Sequence, residues 1–215
     1  MSKETQTSFF NQCIQKGKKN TLGRLACDSV YYHLYQKGYT NIHYMQFDGS
    51  VMDRFLEERG VDVLLEKKQQ YGHSKKLCVE EKLISAKTKL FHTHFVIEYR
   101  KKSDKGLRHE LGTGWGVNQE ALTDLLLYTF PNGDLYLIDY KLLRQYLHSN
   151  WEDVFDNNTY WESLEFRNGQ RVRGNDCIAV SIDTAMTEFV IDGKKIFHKW
   201  DKKNIDRYKK AKENV

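Results

Sequence analysis

Asp62, Glu80 and Lys82 are the residues whose types and spacing could carry chemistry. Glu80 and Lys82 stand two apart in LCVEEKLI, so a strand there puts them on one face, roughly 7 Å apart along the backbone. Asp62 interrupts the preceding apolar run GVDVLLE and can face the pair if the two runs form neighbouring strands. Two carboxylates so placed make a hard-oxygen site suited to Mg²⁺, an ion that keeps several waters and accepts a phosphate oxygen from a substrate. Such an ion polarises a phosphodiester and lowers the pKa of a bound water. A lysine beside it holds or activates that water and offsets negative charge developing on phosphorus. Taking a strand acid and a strand lysine out of water is costly unless they pair or bind a metal, so their company within apolar runs is informative.

The elements that must position these residues follow from the apolar spacing. Thr21 caps a helix carrying Leu22, Leu25, Ala26, Val30 and Leu34 on one face and ending near Gly38. Ile42 to Phe47 reads as a strand, Asp48 to Ser50 as a polar break, and MDRFLEERG as a helical turn ending at Gly60. Val61, Val63 and Leu65 then share one strand face, with Asp62, Leu64 and Glu66 on the other. After the loop KKQQYGHSKK, a second strand puts Leu77, Val79, Glu81 and Leu83 on one side and Cys78, Glu80, Lys82 and Ile84 on the other. The two strands are expected to pair as a long antiparallel hairpin.

Leu90 to Arg100 reads as a third long strand and GTGWGVNQ as irregular backbone leading into a helix over EALTDLLLYTF. Asp134 to Asp139 is then a strand and YKLLRQYLH an amphipathic helix. The order predicts an α/β (α+β) chain with a mixed sheet flanked by helices. That core is expected over residues 1–150. A strand-rich extension over 151–215, packed on the same domain, has short strands around Arg171 to Arg173 and Cys177 to Ile182, then a basic helix in WDKKNIDRYKKAKENV.

A chain of 215 residues can bury a sizeable core, and 40% hydrophobic residues with 13% aromatic exclude a disordered composition. Its mean hydropathy of -0.71 implies a strongly solvated surface. No apolar run approaches the roughly 20 residues of a membrane span, and MSKETQTSFFNQ lacks the pattern of a secretory signal. The expected address is the cytoplasm, with no membrane partner. Cys13, Cys27, Cys78 and Cys177 form no CxxC pair, which argues for reduced thiols rather than a zinc or redox motif. The net charge of +5 would assist association with a polyanion.

Asp62 followed by Glu80-Glu81-Lys82, a D…ExK pattern across a strand hairpin behind an N-terminal helix, resembles the PD-(D/E)XK nuclease superfamily of restriction-endonuclease-like fold. Val61 stands where that pattern often has proline. The resemblance covers roughly Thr21 to Asp139, and in the superfamily a helix, three antiparallel strands, a helix and a further strand form the core. It implies that Asp62 and Glu80 are metal ligands, that Lys82 is the catalytic lysine, and that the protein is an endonuclease using Mg²⁺, with Mn²⁺ as a substitute, to hydrolyse DNA phosphodiesters. IEYRKK, GTGWGVNQEALTDLLLYTF and LYLIDYKLLRQYL also resemble a phage- or restriction-associated branch, and on that likeness Glu98 is an additional site residue. RNA as the polymer and a homodimer as the assembly are left open.

Competing structural readings exist for each of these residues. Asp62 and Lys82 could form a cross-strand ion pair, and Glu80 and Glu81 could be the protective charges of an edge strand. The whole could then be a catalytically silent nucleic-acid-binding or interaction module keeping the nuclease fold. His92, His94 and Glu98 share a face at metal-ligand spacing, which alternation on a half-exposed strand explains as well. Asp48 and Asp53, upstream of the hairpin, could enter the site, but helix capping and surface charge explain them better. Lys202, Lys203 and Arg207 of the basic tail could touch a phosphate backbone or simply be solvated.

Overall fold

Apolar residues spaced three and four apart in LGRLACDSVYYHLYQ build helix α1, Leu22–Gln36, whose buried stripe includes Ala26, Val30 and Tyr31. The computed structural model describes residues 22–45, 49–69, 73–84, 92–167 and 170–214. Thr21, the expected cap, and Asp48 lie outside them, as does Cys13. The helix stops where Gly38 takes a φ of +95°. The Gly38 and Tyr39 amides donate to the Tyr35 and Leu34 carbonyls at 2.9 and 3.1 Å, closing a left-handed helix end.

Strand β1, Asn41–Tyr44, is followed by helix α2, Val51–Glu58, which starts in a capping box made by Ser50 and Asp53. Strands β2, Val63–Lys68, and β3, Ser74–Leu83, form the expected antiparallel hairpin, with Val63 opposite Val79 and Leu65 opposite Leu77. β1 pairs antiparallel with β2, Ile42 opposite Leu65.

The next two elements depart from expectation. Of the strand expected over Leu90 to Arg100, Leu90 and Phe91 lie outside the described residues; His94–Arg100 forms β4, which does not follow the hairpin into its sheet. Its partner comes about eighty residues later, and a period-two pattern says that a strand exists without saying what it pairs with. EALTDLLLYTF is not a helix: Leu125–Thr129 is strand β5, parallel to β3 with Glu81 opposite Leu127. An interior strand covered on both faces is a continuous apolar run, and periodicity cannot tell it from a buried helix.

After β6, Leu135–Asp139, come helices α3, Tyr140–Ser149, and α4, Trp151–Asn157. Strands β7, Thr159–Arg167, and β8, Gln170–Ser181, then pair antiparallel with a register shift between Glu162 and Leu164. The two short strands expected around Arg171 to Arg173 and Cys177 to Ile182 are one strand, β8, which runs on through Gly174 and Asn175 and ends at Ser181. The chain ends with α5, Ile182–Thr187, the ribbon β9, Val190–Ile191, and β10, Lys194–Lys195, then β11, Phe197–Lys199, and α6, Lys202–Glu213.

The described residues thus form a mixed α/β structure with six helices and a six-stranded sheet of order β1-β2-β3-β5-β6-β11. A separate three-stranded sheet has the order β4-β8-β7. Two compact units interleave in sequence. One takes residues 1–85, 122–137 and 199–215, and the other 86–121 and 138–198. In the first, β2, β3 and β5 bury Val63, Leu65, Val79 and Leu127 in one core with Ala26, Val30 and Tyr31 of α1 and Tyr208 of α6. In the second, the amides of Gly112 and Gly114 donate to the Tyr99 carbonyl and that of Gly116 to the Glu98 carbonyl, so the glycine-rich segment caps the open edge of β4. A Cβ on Gly114 would lie 2.5 Å from the Glu98 oxygen, which explains glycine there. Among the described residues no helix is long and apolar enough to cross a membrane.

Candidate active site

Strand β3 presents its two acids to opposite sides. Glu81 follows the face of Val79 toward α1, while Glu80 and Lys82 share the other face and form an ion pair, Nζ to Oε1. Glu80 is only 5% exposed, and the Lys82 side chain is 31% exposed. The pair sits on an interior strand between β2 and β5, which removes the edge-strand reading of these charges. The lysine pairs with the neighbouring acid on its own strand, where a cross-strand pair with Asp62 was the competing expectation.

Asp62 stands where β2 begins. Its amide donates to the Val79 carbonyl at 2.8 Å, its carbonyl accepts from Met45 at 2.9 Å, and its Oδ2 accepts the Glu81 amide at 2.6 Å. The side chain therefore serves as the acceptor a longer β2 would have offered to β3, and it is held against the Glu80-Glu81 peptide. Gly60 makes the approach tight. Its φ is +75°, and a Cβ there would lie 3.2 Å from both Glu80 Oε2 and Thr123 Oγ1. The Thr123 hydroxyl in turn donates to the Gly60 carbonyl. The 60–62 turn and the buried Glu80 carboxylate are thereby brought together by backbone that only glycine readily adopts.

Behind β3, Arg24 of α1 donates from Nη1 and Nη2 to the two Glu81 oxygens at 2.7 and 2.8 Å, and from Nε to Asp28 at 2.7 Å. The Tyr31 hydroxyl donates to Glu81 at 2.6 Å. Burial by itself would lower the Arg24 pKa, but the Glu81 and Asp28 carboxylates more than reverse this and hold the guanidinium charged. Burial pushes the Asp28 carboxyl up, against the pull of Arg24, and pushes the Tyr31 phenol well up. Glu81 is thus committed on both sides of its Cα, by side chain to Arg24 and by amide to Asp62. Sequence reading missed Arg24 and Asp28, although an i,i+4 Arg/Asp pair on the apolar stripe of α1 was the available signal.

The other expected residues lie elsewhere. Glu98 belongs to β4 of the second unit, where its carboxylate accepts from Asn175 Nδ2 at 2.8 Å and from the Trp115 amide at 3.4 Å. His94 shares its strand, but His92 falls outside it. Asp53 accepts in the α2 capping box and meets His43 at 2.7 Å, and the His43 hydrogen bond holds its carboxyl below the usual range. Lys202 pairs with Asp134 at 3.1 Å beside Lys199. The Lys203 amide donates to the capping Asp201, and Arg207 stands exposed on α6 next to the buried Tyr208. Cys27 and Cys177 are buried free thiols and Cys78 is half-buried.

Among the described residues, no three His, Cys, Asp or Glu side chains converge on a metal position. Mg²⁺ asks less of the protein, being bound through one or two carboxylates while keeping water and substrate phosphate as its other ligands. Two hard carboxylate donors, one of them buried, fit that demand. No family model, curated protein or solved structure matches this chain.

Proposed function

We propose that the protein is a metal-dependent nuclease that hydrolyses DNA phosphodiesters at Asp62, Glu80 and Lys82. The carrying observation is the burial of Glu80, paired with Lys82 on one strand face and held beside the 60–62 turn that bears Asp62. Asp62 and Glu80 would hold Mg²⁺ or Mn²⁺, which when bound supplies Lewis acidity and an acidified water. The Glu81 amide fixes Asp62, so its carboxylate needs no reorganisation when the substrate arrives. Lys82 is aimed at the same face, and its ammonium would orient the attacking water and offset charge on the non-bridging oxygens. Water forms the new O–P bond and gives up a proton to solvent, the bond to the leaving deoxyribose oxygen breaks, and that oxygen takes a proton from solvent.

The restriction-endonuclease-like fold is part of this proposal. It is supported by the order α1, antiparallel β1-β2-β3 and a further strand, β5, beside β3. One departure stands against it: the described residues between β3 and β5 carry β4 and irregular backbone where the superfamily pattern has a helix. The Glu80–Lys82 ion pair favours a second reading, a silent module that uses the charges to neutralise one another.

Thermal unfolding with and without metal separates the two. Mg²⁺ at about 100 times its Kd should add about 2.7 kcal/mol of stability to the wild type and much less to Asp62→Asn, and wild type alone should nick DNA in Mg²⁺ or Mn²⁺. Equal unfolding temperatures with and without metal, and no cleavage of single-stranded, duplex or branched DNA, would favour the module.

A further inference from the structure

We propose that residues 101–113 form a DNA-contacting loop in which Leu107 inserts between base steps of a duplex while Lys105 and Arg108 hold the flanking phosphates. The inference goes beyond the site on β2 and β3 and shares with it only the expectation that DNA is the partner.

The loop, KKSDKGLRHELGT, is exposed along nearly its whole length, yet it is tied down from within. Arg100, itself 4% exposed, donates to the carbonyls of Leu107, Asp104 and Gly106 at 2.8, 2.9 and 3.0 Å. Tyr99 donates to the Arg108 carbonyl at 2.7 Å. Asp104 accepts from the Lys101 and Thr113 amides at 2.8 and 2.7 Å and from the Thr113 hydroxyl at 2.8 Å. Gly106 turns the chain at a φ of +106°, and Glu110 accepts the Leu107 amide at 2.9 Å. A buried arginine spent on three carbonyls of a surface loop fixes the loop's shape before any partner arrives.

What that fixed shape presents is Leu107, 61% exposed. A lone exposed leucine is ordinary. This one has its main chain clamped on both sides and stands between two cationic residues, Lys105 and Arg108. The loop's acids are turned to its own backbone, whereas Lys105 is exposed and Arg108, over the Tyr160 ring and 3.4 Å from Glu162, keeps 55% of its side chain open. An apolar wedge flanked by cations matches a duplex that can be unstacked at one step, and a rigid loop spares the ordering entropy of a mobile one. The chain's net charge of +5 favours the same partner.

Binding is measured in EDTA, so that cleavage plays no part, with a short labelled duplex carrying 2-aminopurine. Lys105→Ala/Arg108→Gln should weaken binding about tenfold at ~0.1 M salt and flatten the log–log salt slope by about 1.8, at roughly 0.9 for each phosphate no longer neutralised. Leu107→Ala should leave that slope unchanged and remove the 2-aminopurine fluorescence rise seen with wild type. Lys101→Ala/Lys105→Ala leaves Arg108 on Tyr160 and should flatten the slope too, which guards against a local packing defect. An unchanged slope in both double variants overturns the proposal, and so does a fluorescence rise that persists in Leu107→Ala. Loss of binding to phosphatidylserine vesicles with an unchanged duplex slope would overturn it in favour of a membrane surface. If the binding effects appear and no DNA is ever cleaved in Mg²⁺, the loop stands and the nuclease reading falls.

Discussion

Lys82→Ala is expected to slow DNA cleavage by about 10²–10³-fold while leaving duplex affinity within a few-fold of wild type. The ammonium shares a face with the buried Glu80 and keeps 31% of its side chain open, so it can meet a substrate without being the main source of binding. Charge that develops only as the phosphorus centre reacts is stabilised in the transition state and not in the ground state, so its removal appears in kcat rather than in Kd. The substitution also takes from the buried Glu80 the ammonium it pairs with, and a bound cation would replace part of that charge. Single-turnover cleavage and anisotropy on the same preparations check the split. A variant that cuts at the wild-type rate, or one that loses binding as steeply as cleavage, would remove the lysine from the chemistry.

Arg24→Ala is expected to cost about 3–5 kcal/mol of stability. The guanidinium lies between Asp28 and Glu81, whose side chains are 10% and 5% exposed, and its removal leaves two buried carboxylates without their shared counter-charge. For a chain of this size the fall in Tm should be on the order of 10 °C. Glu81→Gln should be milder, because the amide keeps an acceptor for Arg24 or Tyr31 while losing the charge. Urea unfolding followed by far-UV circular dichroism measures both. A loss below about 1 kcal/mol for Arg24→Ala would mean that the network is open to water and does not anchor β3 to α1.

How much of the fold and the site is legible in the sequence depends on whether the deciding interaction is local. Strand parity is local, and it correctly separates Glu80 and Lys82 from Glu81 on β3. The left-handed end of α1 at Gly38 and the β2–β3 hairpin are readable for the same reason. The partner of β4 is not, since its pairing with β8 spans about eighty residues and leaves no trace in alternation. Leu125 to Thr129 reads wrongly as a helix because a strand apolar on both faces has no period to read. At the candidate site, the types Asp62, Glu80 and Lys82 are visible, but the hydrogen bond from the Glu81 amide to Asp62 is not. It exists because β2 begins only at Val63, a tertiary fact. Arg24 and Asp28 are visible as a helix pair, whereas Glu81, which Arg24 also holds, lies 57 residues along the chain from it.

The adjacent acids of β3 offer the most direct test, since they differ by one residue and face opposite sides of the sheet. Wild type, Glu80→Gln and Glu81→Gln are compared for DNA cleavage in Mg²⁺ at a temperature where all three are folded. The nuclease reading predicts that Glu80→Gln is inactive, because a neutral amide replaces an anionic ligand of a hard cation, and that Glu81→Gln keeps most of its activity at reduced stability. Full activity in Glu80→Gln, or inactivity confined to a folded Glu81→Gln, would contradict it.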